Sequence, residues 1–233
     1  MNVVLIHGSY HGAWCWDLFR PELERAGHVV TAVDLPIQDS TAGASVYAET
    51  VLDAVDRATP TIVVAHSMAG LVGPLVAAKC KVARLVFLAA FLPTPGLSAN
   101  MQRGTEAIDP ATVPTTAEWT DLGDDVWAIG PNTAREIFFH DATDDVASWS
   151  VARLRPQSYR IMNEITPLTI WPDVPAAYVV CRDDHAISAE WGRTAARERL
   201  HVEPLEIDGG HSPMLTRPAE LALLLEPLLR SAG

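Results

Sequence analysis

The sequence predicts an α/β fold: a mostly parallel sheet with helices on both faces and a small, mainly helical cap inserted between strands. Three observations lead there. Strand-like and helix-like segments alternate from the first residues onward. The strand-like segments are nearly continuous apolar runs, as strands buried on both faces of a parallel sheet must be. The alternation also lapses between about residues 97 and 169 and then resumes.

Residues 3–6 open the chain as a short apolar strand and run into a glycine-bearing polar loop, His7-Gly8-Ser9-Tyr10-His11-Gly12-Ala13-Trp14. Trp16, Phe19 and Leu23 have helical spacing, which predicts a helix over 16–26 with Gly27 as its stop. Residues 29–33 form the next strand, closed by Asp34-Leu35-Pro36, and a helix is expected over about 46–57 before Pro60. Residues 62–65 read as a buried strand, and Leu71, Val72, Leu75 and Val76 carry a helix on to about Lys79. A further apolar strand over 82–92 is ended by Pro93-Thr94-Pro95-Gly96.

The lapse that follows concentrates aromatic residues (Trp119, Trp127, Phe138, Phe139, Trp149, Tyr159) and has helical segments near 133–140 and 145–154. A strand at 176–181, a helix at 189–199, a strand at 202–207 and a closing helix at 218–229 restore the rhythm. The expected division is a core over 1–95, a cap insertion over 96–170, and the rest of the core over 171–233.

Composition narrows the partners. With 17 basic against 29 acidic residues the net charge is −12, and no run of lysine or arginine occurs, which argues against nucleic acid and anionic membrane surfaces. The 3 cysteines, Cys15, Cys80 and Cys181, are odd in number and widely spaced, so free thiols in a reducing compartment are expected rather than disulfides or a zinc site. No G-x-x-x-x-G-K-[ST], G-x-G-x-x-G or H-E-x-x-H pattern is present, so no cofactor and no metal are expected. Met1 leads straight into a strand without a basic, apolar leader or a membrane-length apolar run, and a cytoplasmic protein is the expectation. The apolar cap could support a homodimer.

The stretch around which the chain is organised is TIVVAHSMAG, residues 61–70. A strand that turns sharply into a helix with serine at the apex is a nucleophile elbow. A serine hydroxyl is a weak nucleophile, and this turn holds it clear of its own backbone, within reach of a base and beside helix-start N–H groups. The full pattern is G-x-S-x-G; here Ala65 and Ala69 replace the glycines and Gly70 stands one place late. Alanine is the smallest substitute, so the turn remains feasible.

A base for Ser67 and an acid to orient it both have candidates at strand ends. His211 lies on the loop Gly209-Gly210-His211 after the last strand, and Asp183 and Asp184 follow the strand before it, with Asp208 as a further competitor for the acid. The order Ser67, Asp184, His211 is the order expected of a strand-end Ser…Asp…His set. His66 reads as a packed neighbour of the nucleophile, and His7 and His11 as residues that shape the loop after the first strand.

These motifs carry a resemblance over nearly the whole chain. The segments HGSYHGAWCW (7–16), AHSMAG (65–70), ARLRPQS (152–158), DHAI (184–187) and GGHSPM (209–214) resemble the α/β-hydrolase fold family. Within it they are most similar to the branch of plant methyl-ester esterases, hydroxynitrile lyases and related small bacterial esterases. The resemblance implies that the acid is the aspartate three places before an Ile or Val, here Asp184. It also implies that the backbone N–H groups of Ser9 and Met68 form an oxyanion hole. The lyases of that branch carry a lysine directly after the catalytic histidine, where this chain has Ser212, and hydrolases with an aspartate nucleophile would need Asp at position 67. The expected activity is therefore cofactor-free cleavage of small apolar or aromatic esters through an acyl-enzyme, with Trp119, Trp127 and His11 contacting substrate. The alternatives are a lyase-like, thioesterase, lactonase or carbon–carbon hydrolase reaction, or a slow-turnover small-molecule receptor.

Overall fold

The computed structural model describes residues 1–110 and 117–231; residues 111–116 of the expected cap, and 232–233, lie outside the described set. In chain order the elements are β1 (Asn2–Ile6), α1 (Arg20–Arg25), β2 (Val29–Val33), α2 (Ala44–Asp53), β3 (Thr61–His66), α3 (Gly73–Ala77) and β4 (Val82–Leu88). The inserted segment follows: α4 (Ala99–Thr105), β5 (Trp119–Asp121), β6 (Val126–Ile129), α5 (Pro131–Phe138), α6 (Asp144–Val151), β7 (Gln157–Ser158) and α7 (Arg160–Asn163). The chain ends with β8 (Ala176–Cys181), α8 (Ala189–Arg199), β9 (Leu205–Ile207), α9 (Pro213–Thr216) and α10 (Pro218–Arg230).

The main sheet has 6 strands in the order β2-β1-β3-β4-β8-β9, and every pairing in it is parallel. Successive side chains of a strand point to opposite faces, and the apolar runs therefore feed two cores at once. Val4, Ile6, Val63, Ala65, Leu85, Phe87, Tyr178 and Val180 enter one core, with residues of α2, α3 and α8. Val3, Leu5, Ile62, Val64, Val86, Leu88, Val179 and Cys181 enter the other, with residues of α1, α9 and α10. The expected double-sided α/β architecture is what the chain adopts, and burial of both faces is why its strands lack polar alternation.

The boundaries differ where proline intervenes. The helix expected over 16–26 is a 3₁₀ turn, Ala13–Trp16, and then α1. Pro21 can only sit in the first turn of a helix, because it lacks an N–H and its ring would strike the carbonyl four residues back. The last strand pairs only over Leu205–Ile207, since Pro204 cannot donate to a ladder. The strand expected over 82–92 leaves the sheet after Leu88, where Ala89 adopts φ 44°.

The insertion between β4 and β8 holds the two expected helices as α5 and α6. It also contains a 3-stranded antiparallel sheet, β5-β6-β7, that the sequence pattern did not reveal. Strands of two to four residues are too short to carry a readable periodicity. The insertion packs into both cores, through Ile161 and Met162 on one side and Ala134, Ile137 and Phe138 on the other. Among the described residues no helix is long and apolar enough to cross a membrane.

Candidate active site

The site sits where the parallel strands end, as open α/β sheets place their ligands. β3 stops at His66, and Ser67 turns the chain with φ 55°, a left-handed conformation that costs a non-glycine residue about 1–2 kcal/mol. A 3₁₀ turn, Ser67–Leu71, then leads into α3. Two glycines make this corner possible. A Cβ at Gly8 would lie 2.7 Å from the Ser67 Cβ, so the loop after β1 can touch the serine only without a side chain. A Cβ at Gly70 would lie 1.9 Å from the Phe91 carbonyl oxygen, while the Phe91 N–H donates to the Ser67 carbonyl at 3.1 Å. The late glycine thus packs the elbow against the chain leaving β4. The turn itself is made with alanine at 65 and 69.

Asp184 follows β8 and His211 follows β9. The His211 Nδ1 lies 2.9 and 3.0 Å from the two oxygens of Asp184, both side chains being buried. Asp184 Oδ1 also accepts the N–H groups of Ala186 and Ile187, at 2.7 and 3.0 Å, so the buried carboxylate is hydrogen-bonded on its protein side. With Nδ1 donating to a carboxylate, the lone pair of His211 resides on Nε2, a buried atom with no protein partner among the described residues. The competing carboxylates are elsewhere. Asp208 pairs with Arg182 at the surface, and the backbone of Asp183 bonds Gly209 and His140.

The His211 backbone is fixed from two sides. His66 Nε2–H donates to its carbonyl at 2.9 Å, and the neighbouring Gly210 N–H donates to Asp141 at 3.0 Å. The His66 and His211 rings are 4.6 Å apart between centroids, which sets His211 beside the residue that precedes Ser67. No hydrogen bond joins Ser67 Oγ to His211 Nε2 in this resting structure; such pairs are commonly loose until substrate arrives.

The loop after β1 is held by its own histidines. His7 Nδ1–H donates to the Gly8 carbonyl at 2.8 Å while its Nε2 accepts the Leu35 N–H at 3.0 Å. His11 Nδ1–H donates to the Ser9 carbonyl at 2.7 Å. Burial pushes His7 down to about 4 and His11 down to about 3, and lowers His66 well below the ordinary histidine value, so all three are neutral. Met68 is the second residue of its 3₁₀ turn, and its N–H has no carbonyl three residues behind it within that helix to accept it. Ser9 lines the same cavity as Ser67.

That cavity holds about 290 Å³ beneath the insertion. Trp119, one of the residues expected to contact substrate, lines it. Trp127 and His11 do not: Trp127 packs on Tyr159 from the small sheet, and His11 lies behind the cavity, stacked on Trp14. A histidine in an HG-x-x-HG loop and a tryptophan in an aromatic-rich insertion read alike as contacts, and only the fold separates wall from support. Several further residues were not singled out individually as site residues by the sequence. Tyr10 and Tyr159, whose hydroxyls are 3.2 Å apart, line the cavity, as does Arg103. Arg155, inside the motif ARLRPQS, clamps Asp34 with two bonds of 2.9 and 3.0 Å and donates to the His11 carbonyl at 3.1 Å. It ties the insertion to the loop that carries Ser9.

With this geometry in place, residues 3–222 match the Alpha/beta hydrolase family, and the chain belongs to it. Methylesterase 7 of Arabidopsis thaliana is 30% identical over 96% of this chain and 94% of its own length. The probable esterase PIR7A of Oryza sativa subsp. japonica is 29% identical over 96% of this chain and 95% of its own. The crystal structure of polyneuridine aldehyde esterase superposes with a TM-score of 0.83 at 23% identity, covering 97% of this chain and 98% of that one.

Proposed function

We propose that this carboxylic ester hydrolase works through an acyl-enzyme, with Ser67 as nucleophile, His211 as general base and acid, and Asp184 holding the imidazole. His211 Nε2 takes the Ser67 proton as Oγ attacks the ester carbonyl. The oxyanion is met by the N–H groups of Ser9 and Met68, and the proton passes from His211 to the departing alcohol. Water then cleaves the acyl-enzyme by the reverse route. The insertion acts as a cap, giving a small, aromatic-walled pocket suited to compact apolar or aromatic acyl groups. The observation that carries the reading is the Asp184–His211 pair, which leaves Nε2 without a protein partner among the described residues while the ring lies against His66, the residue before Ser67.

The relatives named as methylesterases and esterases support ester cleavage as the reaction class. The test is burst kinetics with p-nitrophenyl esters of rising acyl length, comparing wild type with Ser67→Ala. A burst of p-nitrophenol is expected that disappears in the variant, with kcat lower by roughly 10³-fold or more. Full activity in Ser67→Ala would remove the elbow from the mechanism.

A further inference from the structure

Beyond Ser9, Ser67, His185 and the two tyrosine hydroxyls, the cavity wall is aromatic and aliphatic except for one pair of charged side chains. Arg103, on α4, and Asp109 both line it, with Arg103 Nε 3.1 Å from Asp109 Oδ1. The guanidinium lies 5.2 Å from the centre of the Phe91 ring. Phe91 is the residue whose N–H bonds the Ser67 carbonyl, so one phenylalanine spans the distance from the elbow to the cation. Asp109 Oδ1 faces the Nε side of the guanidinium at 3.1 Å without a formed hydrogen bond, and among the described residues no hydrogen bond from Arg103 is found. The other arginine at the same edge of the fold is already committed: Arg199 pairs with Glu106 and donates to the Leu92 carbonyl. Asp109 is half-exposed and loses little by turning to water.

An arginine fork that makes no hydrogen bond among the described residues, at the wall of a site lined largely by apolar side chains, is suited to a planar oxyanion. We infer that the ester this enzyme takes carries a carboxylate, seated on Arg103, at the end of the molecule away from the scissile carbonyl. On this assignment Asp109 holds the guanidinium when the cavity is empty and gives way to the substrate's carboxylate when it fills. The inference rests on the proposed reading that Ser67 marks the reacting end of the cavity.

The experiment has a turnover arm and a binding arm. In the first, kcat/KM is measured for monomethyl esters of dicarboxylic acids of rising chain length and for the methyl alkanoates of the same lengths. Wild type is expected to favour the charged series at one chain length. In Arg103→Leu the charged-to-neutral ratio should fall roughly 10-fold through KM, Arg103→Lys should recover part of it, and Asp109→Asn should raise it. In the second arm, calorimetry on Ser67→Ala reads binding of the best monomethyl ester without turnover, and adding Arg103→Leu should abolish it. An unmoved ratio and unmoved binding in Arg103→Leu would overturn the assignment, as would a preference for methyl esters of ω-amino acids, which Asp109 would then be recognising. Binding that depends on Arg103 without any turnover in wild type would instead count against the ester-hydrolase mechanism and leave the anion site standing.

Discussion

The floor and the roof of this cavity are built in different ways. The floor stands on the ends of β1, β3, β8 and β9, and its polar groups are pinned by short bonds to backbone. His66 and His11 each hold a carbonyl, His7 bridges two loops, and Asp184 accepts two N–H groups before it meets His211. The roof comes from short helices and strands of the insertion, and it meets the cavity through side chains such as Trp119, Phe138 and Tyr159. It is bonded to the core at many points, among them Arg155 on Asp34, Asp141 on Gly210, the Ser158 N–H on the Ile37 carbonyl and Glu164 on the Ala44 N–H. Rigid sheet ends suit groups that must be placed to fractions of an ångström, and side chains from short inserted elements suit the choice of substrate. On the reading proposed above, changes in the floor should act on kcat and changes in the roof on KM.

The hardest attempt to break that division is Asp184→Asn. The amide oxygen can still accept the Ala186 and Ile187 N–H groups, so the loop should stay folded. Its amide nitrogen would face His211 Nδ1 as a donor, however, forcing the imidazole to place its proton on Nε2, where the base lone pair is required. The expected loss is roughly 10³–10⁴-fold in kcat, with KM little changed because Asp184 does not line the substrate cavity. Steady-state kinetics alongside a melting curve would check it. Retained kcat would return the acid role to Asp183 or Asp208 and blur the distinction between floor and roof.

The same division explains what could be read from the sequence. Strands buried on both faces announce themselves as apolar runs, and residues at their ends inherit a position from the topology. From such ends the sequence offers Ser67, Asp184 and His211 as a candidate set, and the fold brings Asp184 and His211 into contact. The roof was less legible. Its strands are too short for periodicity, and of the two tryptophans expected at the substrate, Trp119 lines the cavity and Trp127 does not. Arg103 on a seven-residue helix reads as an ordinary surface cation. Gly70 was legible as a glycine but not as to purpose, since its constraint comes from Phe91, distant in sequence.

A second test concerns the floor alone. His7 and His11 have folded-state values of about 4 and about 3 because burial disfavours their charged forms, against about 6.5 in an unfolded chain. Between these limits the unfolded chain binds protons that the folded one refuses. Stability from this source is therefore complete above pH 6.5 and falls as the pH drops toward 4. Each histidine contributes about 1.4 kcal/mol per pH unit over that range, and His66 adds in the same direction. Thermal melts at pH 7, 6 and 5 should show a falling Tm, and His11→Gln should flatten the slope even if it lowers stability overall. A flat profile in wild type would mean that these imidazoles are not held neutral and that the floor is less dry than its packing implies.

The smallest effect is expected from the roof. Trp119 is 38% exposed, its ring is 5.7 Å from that of Tyr10, and it stands on a three-residue strand paired with β6. Trp119→Ala removes wall rather than support, since the pairing of β5 with β6 is made by backbone and the buried residues of the insertion lie elsewhere. The cavity should enlarge, KM for a short ester should rise a few-fold, on the order of 1 kcal/mol of lost contact, and the preferred acyl chain should lengthen. The value of kcat on the best substrate should stay within about threefold, because on the proposed reading the proton and the oxyanion are handled by residues at the strand ends and not by Trp119. A kcat loss as large as that of Asp184→Asn would show that the roof positions the reacting groups, and floor and roof would have to be treated as one catalytic unit.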